Sequence, residues 1–430
     1  MKVDKIFDAL LENLKVGDAS TTVAARRGEI TKALNKDFRS VEGSTANRVM
    51  VGSYGRHTAI RGVSDLDMIY ILPASLRSSY STETGPRRML NRVRDDLTAR
   101  YPNTDIRVDQ CVVRVQFTSN KFKFEVQPAF ENSDGSFDYP DTKAEGWKVT
   151  KPREEIAATK DCNDRTSTNM RHLARMARAW KDTNGVVIGG LLIDTLVYRF
   201  FSATSEYDDK GSLWFDFMVR DFFEFLMSEP NKDYYLALGS NQRVNVKKRF
   251  QPKAEKAYNL CIEAIAKEGK ASANKKWREV FGSAVPLEVT ESARSFKDTE
   301  EFIESRYPIN VSESLAIDCN VTQNGWRTAS LREMLKNKTL LLPNKELDFT
   351  ITECSVSYPY DVKWKVLNCG NEAERRNNIR GEIISPNRAG NARHERTSFR
   401  GKHVVECYII KDGIVVARDV IDVPICTNAA

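Results

Sequence analysis

The sequence contains few of the residues on which many metal and redox sites depend. It has four histidines among 430 residues, and none lies in a HExxH arrangement, so a histidine-based metal site is not expected. Its eight cysteines are scattered singly, without the short spacing of a zinc knuckle or a redox motif. This usage indicates reduced thiols in a cytoplasmic protein. Any metal is therefore expected to be a hard cation held by carboxylates.

Several other signals are missing as well. No stretch approaches the roughly 18–20 uninterrupted apolar residues of a membrane span, so we expect no membrane partner. Ile6, Leu10 and Leu14 are spaced by four and predict an amphipathic N-terminal helix rather than a signal peptide. The absence of GxxxxGK argues against a P-loop NTPase, and the absence of GxSxG argues against acyl chemistry. The net charge of +7 fits nucleotides as well as nucleic acids, and it does not choose between them.

The pattern along the chain predicts an α/β core, a helical region and an all-β region. Residues 1–50 are expected to form helices, with Ser20-Thr21-Thr22 as the cap of the second one. A strand pattern at 48–73 and a helix at 84–101 follow. Two strand-like runs, 106–118 and 121–130, are expected to form a hairpin through Ser119-Asn120. Helical patterns follow at 165–182, 190–203, 213–227 and 246–267. The expected domains are a catalytic core (1–162), a helical domain completing a cleft (163–290), a linker (291–305) and a β-sandwich (306–430).

The stretch VGSYGRHTAIRGVSDLDMIYILP, residues 51–73, concentrates charge just before an apolar strand pattern. Residues two apart on a strand share a face and lie about 6.5–7 Å apart. Asp65 and Asp67 therefore direct two carboxylates at one small volume, while Leu66 and Met68 enter the core. A divalent cation would turn this repulsion into attraction, and two ions about 3.5–4 Å apart serve in-line phosphoryl displacement.

Groups suited to phosphate precede the two aspartates. Gly52 and Ser53 offer a tight turn with backbone N–H groups and a hydroxyl, which can cradle phosphate oxygens. Arg56, His57 and Arg61 add further anion contacts.

A third carboxylate is expected from a neighbouring strand. In KFKFEVQP, Phe124 and Val126 take one face, whereas Lys123 and Glu125 take the other. Glu125 is therefore expected to point into a cleft. A lone DxD is more often a solvated strand end, but the preceding Gly-Ser and the later acid favour a metal site.

This arrangement resembles the nucleotidyltransferases of the polymerase-beta type. More narrowly, GSYGRHTAIRGVSDLD resembles the bacterial CD-NTases, cyclic-oligonucleotide synthases related to animal cyclic GMP-AMP synthase and oligoadenylate synthase. The resemblance implies that Asp65, Asp67 and Glu125 hold two Mg²⁺ (or Mn²⁺) ions. One ion would activate the attacking ribose hydroxyl and the other would grip the donor triphosphate, whose phosphates Gly52 and Ser53 would hold. The third acid is Glu here, where Asp is the commoner residue.

The segment NMRHLARMARAWKD carries a cationic stripe beside its apolar one. Arg171, Arg175 and Arg178 recur at helical spacing. They are either ordinary surface charges or part of the nucleotide cleft. The resemblance places Arg178 and Lys181, which flank the tryptophan, near the triphosphate. In the following helix, Asp194 and Tyr198 are either structural or in contact with a base.

The C-terminal 356–425 resembles the adenylyl/guanylyl and SMODS C-terminal sensor domain, which implies an immunoglobulin-like sandwich that recognises a ligand. Residues 371–402 contain eight Arg or Lys against four Glu. These charges either keep long loops soluble or form a surface for a nucleotide, nucleic acid or other anion. Arg380, Arg396 and His403 are the candidates, although His403 is equally consistent with a hydrogen-bonded edge-strand histidine.

The resemblance implies an enzyme that joins ATP, GTP or other NTPs into a cyclic or short linear oligonucleotide. The product would activate a downstream effector in antiphage signalling. One alternative is nucleotidyl transfer to RNA or to a protein. Another is a non-catalytic nucleotide or RNA sensor, but an intact acidic trio argues against it, since binding an anionic phosphate needs no carboxylates.

Overall fold

The computed structural model describes residues 2–17, 19–62, 65–117, 123–144, 146–286, 299–322 and 328–426. The chain divides into two compact units, Met1–Ala179 with Ile188–Pro286, and Trp180–Val187 with Leu287–Ala430. Among the helices of the described residues, none combines the length and the apolar composition needed to cross a membrane.

The first unit begins with two helices and a seven-stranded mixed sheet. The strands run in the order β1-β2-β5-β4-β3, β6 and β7 extend the sheet from β5, and β2 and β5 are parallel. The elements are α1 (Val3–Leu14), α2 (Ala19–Arg39), β1 (Arg48–Met50), α3 (Gly52–Gly55), β2 (Asp65–Ile71), α4 (Gly85–Arg100), β3 (Asp105–Asp109), β4 (Val112–Gln116), β5 (Lys123–Glu131), β6 (Phe137–Asp141) and β7 (Gly146–Thr150).

The α/β core and its helix α4 confirm the prediction, and two local details differ. The run 106–118 is not one strand: it forms the antiparallel pair β3 and β4, because Gln110 adopts a left-handed φ of 41° and turns the chain. The predicted cap at Ser20-Thr21-Thr22 is wrong, since α2 already begins at Ala19. The turn at Ser119-Asn120 lies outside the described residues, although β4 and β5 do pair antiparallel.

Strand alternation gives this sheet one covered face and one polar face near the start of β2. Leu66 and Met68 on β2 and Phe124 and Val126 on β5 are fully buried. They pack with apolar residues of α2 and α4 in one core cluster. Because neighbours along a strand point to opposite faces, the alternate residues of β2 and β5 lie on the other side.

The helical part of the first unit follows the predicted segments. Its elements are α5 (Pro152–Arg165), α6 (Asn169–Asn184), α7 (Gly190–Ala203), α8 (Phe215–Ser228), β8 (Tyr234–Leu236), β9 (Arg243–Asn245), α9 (Gln251–Ile265) and α10 (Ala271–Phe281). The apolar face of α1 packs here: the ring of Phe7 meets Trp277 edge-on at 5.0 Å and Phe215 at 6.2 Å. The residues of α6 from Trp180 onward are grouped with the second unit.

The second unit is β-rich, as predicted. Two antiparallel four-stranded sheets, β11-β10-β12-β15 and β14-β13-β16-β17, contribute side chains to one shared core, with Phe349 and Trp364 fully buried in it. Of the predicted linker 291–305, residues 291–298 lie outside the described part. The elements are β10 (Leu315–Thr322), β11 (Ala329–Ser330), α11 (Leu331–Lys336), β12 (Glu346–Cys354), β13 (Asp361–Leu367), α12 (Asn371–Arg375), β14 (Arg380–Ile384), β15 (Arg393–Arg396), β16 (Gly401–Lys411) and β17 (Ile414–Ile425).

Candidate active site

The three predicted acids lie together on the polar face of the mixed sheet. Strands β2 and β5 are parallel neighbours, and their register sets Asp67 directly beside Glu125 and Asp65 directly beside Lys123. Asp65 and Asp67, two residues apart on β2, share that face. The structure therefore brings together carboxylates that are 58–60 positions apart in the sequence.

Gly52 closes one side of this face. It has a left-handed φ of +60°, and a Cβ built on it would lie 1.8 Å from Oδ2 of Asp67. The adjacent Val51 N–H donates to the backbone carbonyl of Asp67 at 3.0 Å. Only glycine can both adopt this turn without strain and let the backbone approach the carboxylate so closely. The Gly-Ser turn is thus fixed against the second aspartate.

Burial and mutual repulsion make two of the acids hard to ionise. Burial, followed by the charges of Glu125 and Asp65, raises the pKa of Asp67 to about 7. Burial and then the charge of Asp65 raise the pKa of Glu125 as well. Both directions indicate carboxylates that lack enough positive charge around them.

Two basic side chains that sequence reasoning did not assign to the site partly offset this repulsion. The Lys123 Nζ lies 3.1 Å from Oδ1 of Asp65 and 3.9 Å from Oε1 of Glu125. The Arg114 Nε donates to Oε1 of Glu125 at 3.1 Å, and its Nη2 lies 2.6 Å from Asp109. The sequence did hold a signal for Lys123, because it precedes Glu125 by two residues and must share its face.

The donor chemistry of the site fits a hard divalent cation. Three carboxylates on one sheet face are oxygen ligands of the kind that Mg²⁺ prefers, and the raised pKa of Asp67 marks a charge deficit that such an ion would remove. As the side chains stand, no three His, Cys, Asp or Glu side chains of the described residues are grouped so that they could hold a metal ion. The ammonium of Lys123 lies between two of the acids instead.

A buried ion network lies behind the loop that follows Gly52–Gly55. Asp194 on α7 is fully buried and accepts hydrogen bonds from Arg178 (Nη1 to Oδ1, 2.6 Å) and from Arg56 (Nε to Oδ2, 2.7 Å). Thr58 Oγ1 also donates to Oδ2, at 3.0 Å. Burial alone would raise the pKa of Asp194, but the guanidinium groups of Arg178 and Arg56 hold it below its ordinary value. These contacts assign Asp194 a structural role.

The cationic stripe of α6 faces the same loop. Arg171 Nε donates to the carbonyl of Arg56 at 3.2 Å, and Arg175 Nη2 donates to that of His57 at 3.1 Å. Arg178 is joined to Arg56 through Asp194. The three arginines of α6 thus position the backbone just after the Gly-Ser turn. These arginines are therefore not ordinary surface charges.

Two other predicted residues have different surroundings. Lys181 is buried in the second unit, where its Nζ donates to Oδ1 of Asn310 at 3.2 Å. Tyr198 on α7 lines an open cavity of about 890 Å³ together with Glu154 and Arg165.

The three candidates of the C-terminal unit differ in availability. Arg380 is engaged by Glu395 through two hydrogen bonds of 2.7 and 2.9 Å. Arg396 is exposed, with its Nε 3.5 Å from a carboxylate oxygen of Glu346. His403 is buried on β16, between β13 and β17, so the edge-strand interpretation is wrong.

Both ring nitrogens of His403 have backbone partners. Its Nε2 lies 3.0 Å from the carbonyl of Phe399, and its Nδ1 accepts from the N–H of Cys369 at 3.3 Å. Burial lowers the pKa of His403. The histidine is thus a hydrogen-bonded core residue, and Arg396 is the most accessible of the three candidates.

Comparison with known families matches both ends of the chain. Residues 1–163 match the Second Messenger Oligonucleotide or Dinucleotide Synthetase (SMODS) domain, and residues 297–426 match the Adenylyl/Guanylyl and SMODS C-terminal sensor domain. A probable cyclic nucleotide synthase of Bacillus cereus (strain VD146) is 23% identical over 275 residues, which cover 55% of this chain and 81% of that protein.

Solved structures share the fold of about two thirds of the chain. CdnC of E. coli MS115-1, solved with ATP, matches with a TM-score of 0.50 and 15% identity over 66% of this chain and 99% of that one. The cyclic AMP-GMP synthase DncV of Vibrio cholerae matches with a TM-score of 0.51 and 12% identity over 66% and 97% of the two chains. At these identities the likeness shows the fold alone.

Proposed function

We propose that this chain, a nucleotidyltransferase similar to cyclic nucleotide synthases, makes a cyclic oligonucleotide second messenger for antiphage signalling. Its residues 1–163 match the SMODS domain, and its residues 297–426 match the adenylyl/guanylyl and SMODS C-terminal sensor domain. Its substrates would be two or more NTPs, ATP among them, joined through 3′–5′ or 2′–5′ linkages. One observation carries the proposal: Asp67 and Glu125, both with raised pKa, lie side by side on one sheet face with Asp65.

Asp65, Asp67 and Glu125 are the residues that would hold Mg²⁺ or Mn²⁺ in this proposal. When bound, two such ions would activate the attacking ribose hydroxyl and neutralise the charge that develops on the leaving pyrophosphate. The three carboxylates would supply the negative charge that holds the cations. The raised pKa of Asp67 supports this role, because a bound cation favours its ionised form.

Gly52 and Ser53 would hold the donor phosphates, as the resemblance implies. Their turn is fixed from two sides: Asp67 abuts Gly52, and the arginines of α6 hold the following loop. The guanidinium groups of Arg56 and Arg178 are both used by Asp194, which favours a positioning role for them over direct contact with phosphate. Lys181 stays a candidate for the triphosphate on the resemblance alone.

The domain roles belong to the same proposal. Residues 1–162 would form the catalytic core and 163–290 would complete the nucleotide cleft, whereas 291–305 would link them to an immunoglobulin-like sandwich at 306–430. Two antiparallel sheets around one core support the sandwich. That domain would bind a ligand, for which Arg396 offers the most accessible guanidinium. The product would act on a separate effector in the cytoplasm.

The proposal is tested with purified protein, labelled NTPs and Mg²⁺ or Mn²⁺, alone and with phage lysate as a source of sensor ligands. We expect small labelled products that resist alkaline phosphatase, and none with the Asp67→Asn variant. Label that appears only on added RNA or protein would replace synthesis by transfer to a macromolecule. No turnover with any NTP mixture, with or without lysate, would leave a non-catalytic sensor as the better interpretation.

A further inference from the structure

Lys123 occupies an unusual place among the three acids. The parallel register of β2 and β5 forms a square of four side chains, in which Asp65 faces Lys123 and Asp67 faces Glu125. The ammonium lies 3.1 Å from Asp65, across the strands, and 3.9 Å from Glu125, along its own strand. All three of these side chains are partly buried, with 14%, 23% and 19% exposure for Lys123, Asp65 and Glu125.

The surroundings make this ammonium more than a surface ion pair. In a partly buried site, solvent screens charges weakly, so a cation between two carboxylates lowers their repulsion substantially. Of the three acids, Arg114 contacts only Glu125, and its guanidinium is also shared with Asp109. Lys123, in contrast, contacts two of the acids that would hold the ion. Its compact head on a flexible stem can leave without disturbing the strand.

We propose that Lys123 is an exchangeable counter-ion of the acidic site, which a divalent cation must displace before Asp65 and Glu125 can coordinate it. The inference rests on the proposed function, because it takes these acids to be the metal ligands. Lys123 would then set the concentration of divalent cation at which the site fills. In the metal-free protein it would also stabilise the fold by holding the acids together.

The test measures binding of Mn²⁺ alone to the full chain, without nucleotide, from the loss of the electron paramagnetic resonance signal of the free ion. Lys123→Met keeps the length of the side chain and removes its charge. We expect its dissociation constant for Mn²⁺ to fall about tenfold relative to the wild type, since one competing charge is gone. Lys123→Arg should stay close to the wild-type value.

Lys148→Met is the matched control, because Lys148 also pairs with an aspartate of the same sheet, Asp141. It should leave Mn²⁺ binding unchanged. Thermal unfolding in EDTA gives a second measurement. Lys123→Met should unfold several degrees below the wild type, because the acids then repel one another, and added Mn²⁺ should remove this difference. Asp67→Asn should weaken Mn²⁺ binding in every background, which assigns the bound ion to this site.

The outcomes separate the two proposals. If the wild type and Lys123→Met bind Mn²⁺ equally, or the variant binds it more weakly, the counter-ion role of Lys123 is overturned and the metal site stands. If no variant binds Mn²⁺ at millimolar concentration, the metal site itself is wrong and the counter-ion proposal is overturned with it. Binding by Lys123→Met but not by the wild type would be the strongest support.

Discussion

Two sites of this protein place acidic and basic side chains together, and they differ in electrostatic state. In the first unit, burial and neighbouring acids raise the pKa of Asp67 to about 7. In the second unit, Glu406 on β16 is buried, and burial alone would raise its pKa, but the charges of Lys365 and Arg418 lower it to about 2. Lys365 lies 3.4 Å from Glu406, and Arg418 forms an ion pair with it.

The number of opposite charges around an acid distinguishes a structural acid from a candidate cation ligand. Around Glu406 the protein supplies two cations and the hydroxyl of Tyr408, which donates at 2.8 Å, so the charge is satisfied within the chain. Around Asp67 the supplied positive charge is too small for three acids. Burial acts in the same direction in both places, and the difference lies in the count of opposite charges. Asp194, held by Arg56 and Arg178, belongs with the structural acids.

The largest expected effect is a loss of activity when Asp67 is changed. Asp67→Asn should lower the rate of product formation by about 100- to 1,000-fold, because a ligand of the charge-stabilising ions is lost. It should leave thermal stability in EDTA equal to or above that of the wild type, because a repelled buried charge is gone. Rates with labelled NTPs and melting curves of the same samples check both expectations. A variant that is both active and less stable would place Asp67 with the structural acids.

Glu406→Gln should lower stability and leave activity nearly unchanged. Removing one partner leaves Lys365 and Arg418 buried without their shared carboxylate, which destabilises by about 3–5 kcal/mol. Hydrogen exchange of the β13, β16 and β17 peptides should accelerate, while basal product formation per folded molecule stays within about twofold. Unchanged exchange in those strands would contradict the interpretation of Glu406 as a structural acid.

Gly52→Ala tests whether activity depends on the close approach of the backbone to Asp67. The new methyl would meet Oδ2 of Asp67 at 1.8 Å and would occupy a left-handed conformation, so activity should fall at least about tenfold. Gly62→Ala is the control, because Gly62 has a φ of +84° but a methyl group placed there would have no atom of the described residues within 4 Å. It should lose about 1 kcal/mol of stability through backbone strain and keep its activity. Equal losses of activity would show that strain, rather than the approach to Asp67, matters.

The smallest effect is the pH dependence of stability in EDTA. The folded-state pKa of Asp67 is about 7 against an ordinary 3.8, so its ionisation opposes folding increasingly as pH rises from 3.8 to about 7. The pKa of Glu406 is about 2 against 4.5, so its contribution is complete above pH 4.5 and is lost as pH falls toward 2. Asp67→Asn should therefore flatten the melting profile between pH 4 and 7, and Glu406→Gln should flatten it below pH 4.5. A profile of Asp67→Asn that parallels the wild type would contradict the assignment.

The sequence predicted which strand face the acids lie on, because strand alternation is a local property. Leu66 and Met68 on one side required Asp65 and Asp67 on the other, and Glu125 followed by the same rule on β5. The resemblance then grouped the three acids as ligands of the same ions. That β2 and β5 pair in parallel was not predicted, because alternation does not report strand direction. The coarse order of α/β core, helices and β-sheets was likewise predictable from hydrophobic periodicity.

The partners of the basic residues could not be predicted in this way. Arg171 and Arg175 bond to the loop after Gly52–Gly55, more than 110 positions earlier, so their role depends on tertiary packing. The helical spacing showed a stripe but not what it faces. Likewise, the charged stretch at 371–402 suggested an anion surface, yet Arg380 is held by Glu395, and the adjacent His403 is buried between strands. Local charge does not report whether a side chain is already paired.

The parallel pairing of β2 with β5 determines when the acidic face can assemble during synthesis and folding. Between these strands the polypeptide forms α4, β3 and β4, so Glu125 can pair with Asp67 only after that whole segment has been synthesised. Such a non-local contact forms late in folding. A chain whose synthesis has not yet passed β5 therefore lacks an assembled acidic face, and the proposed reaction would begin only after β5 has paired with β2.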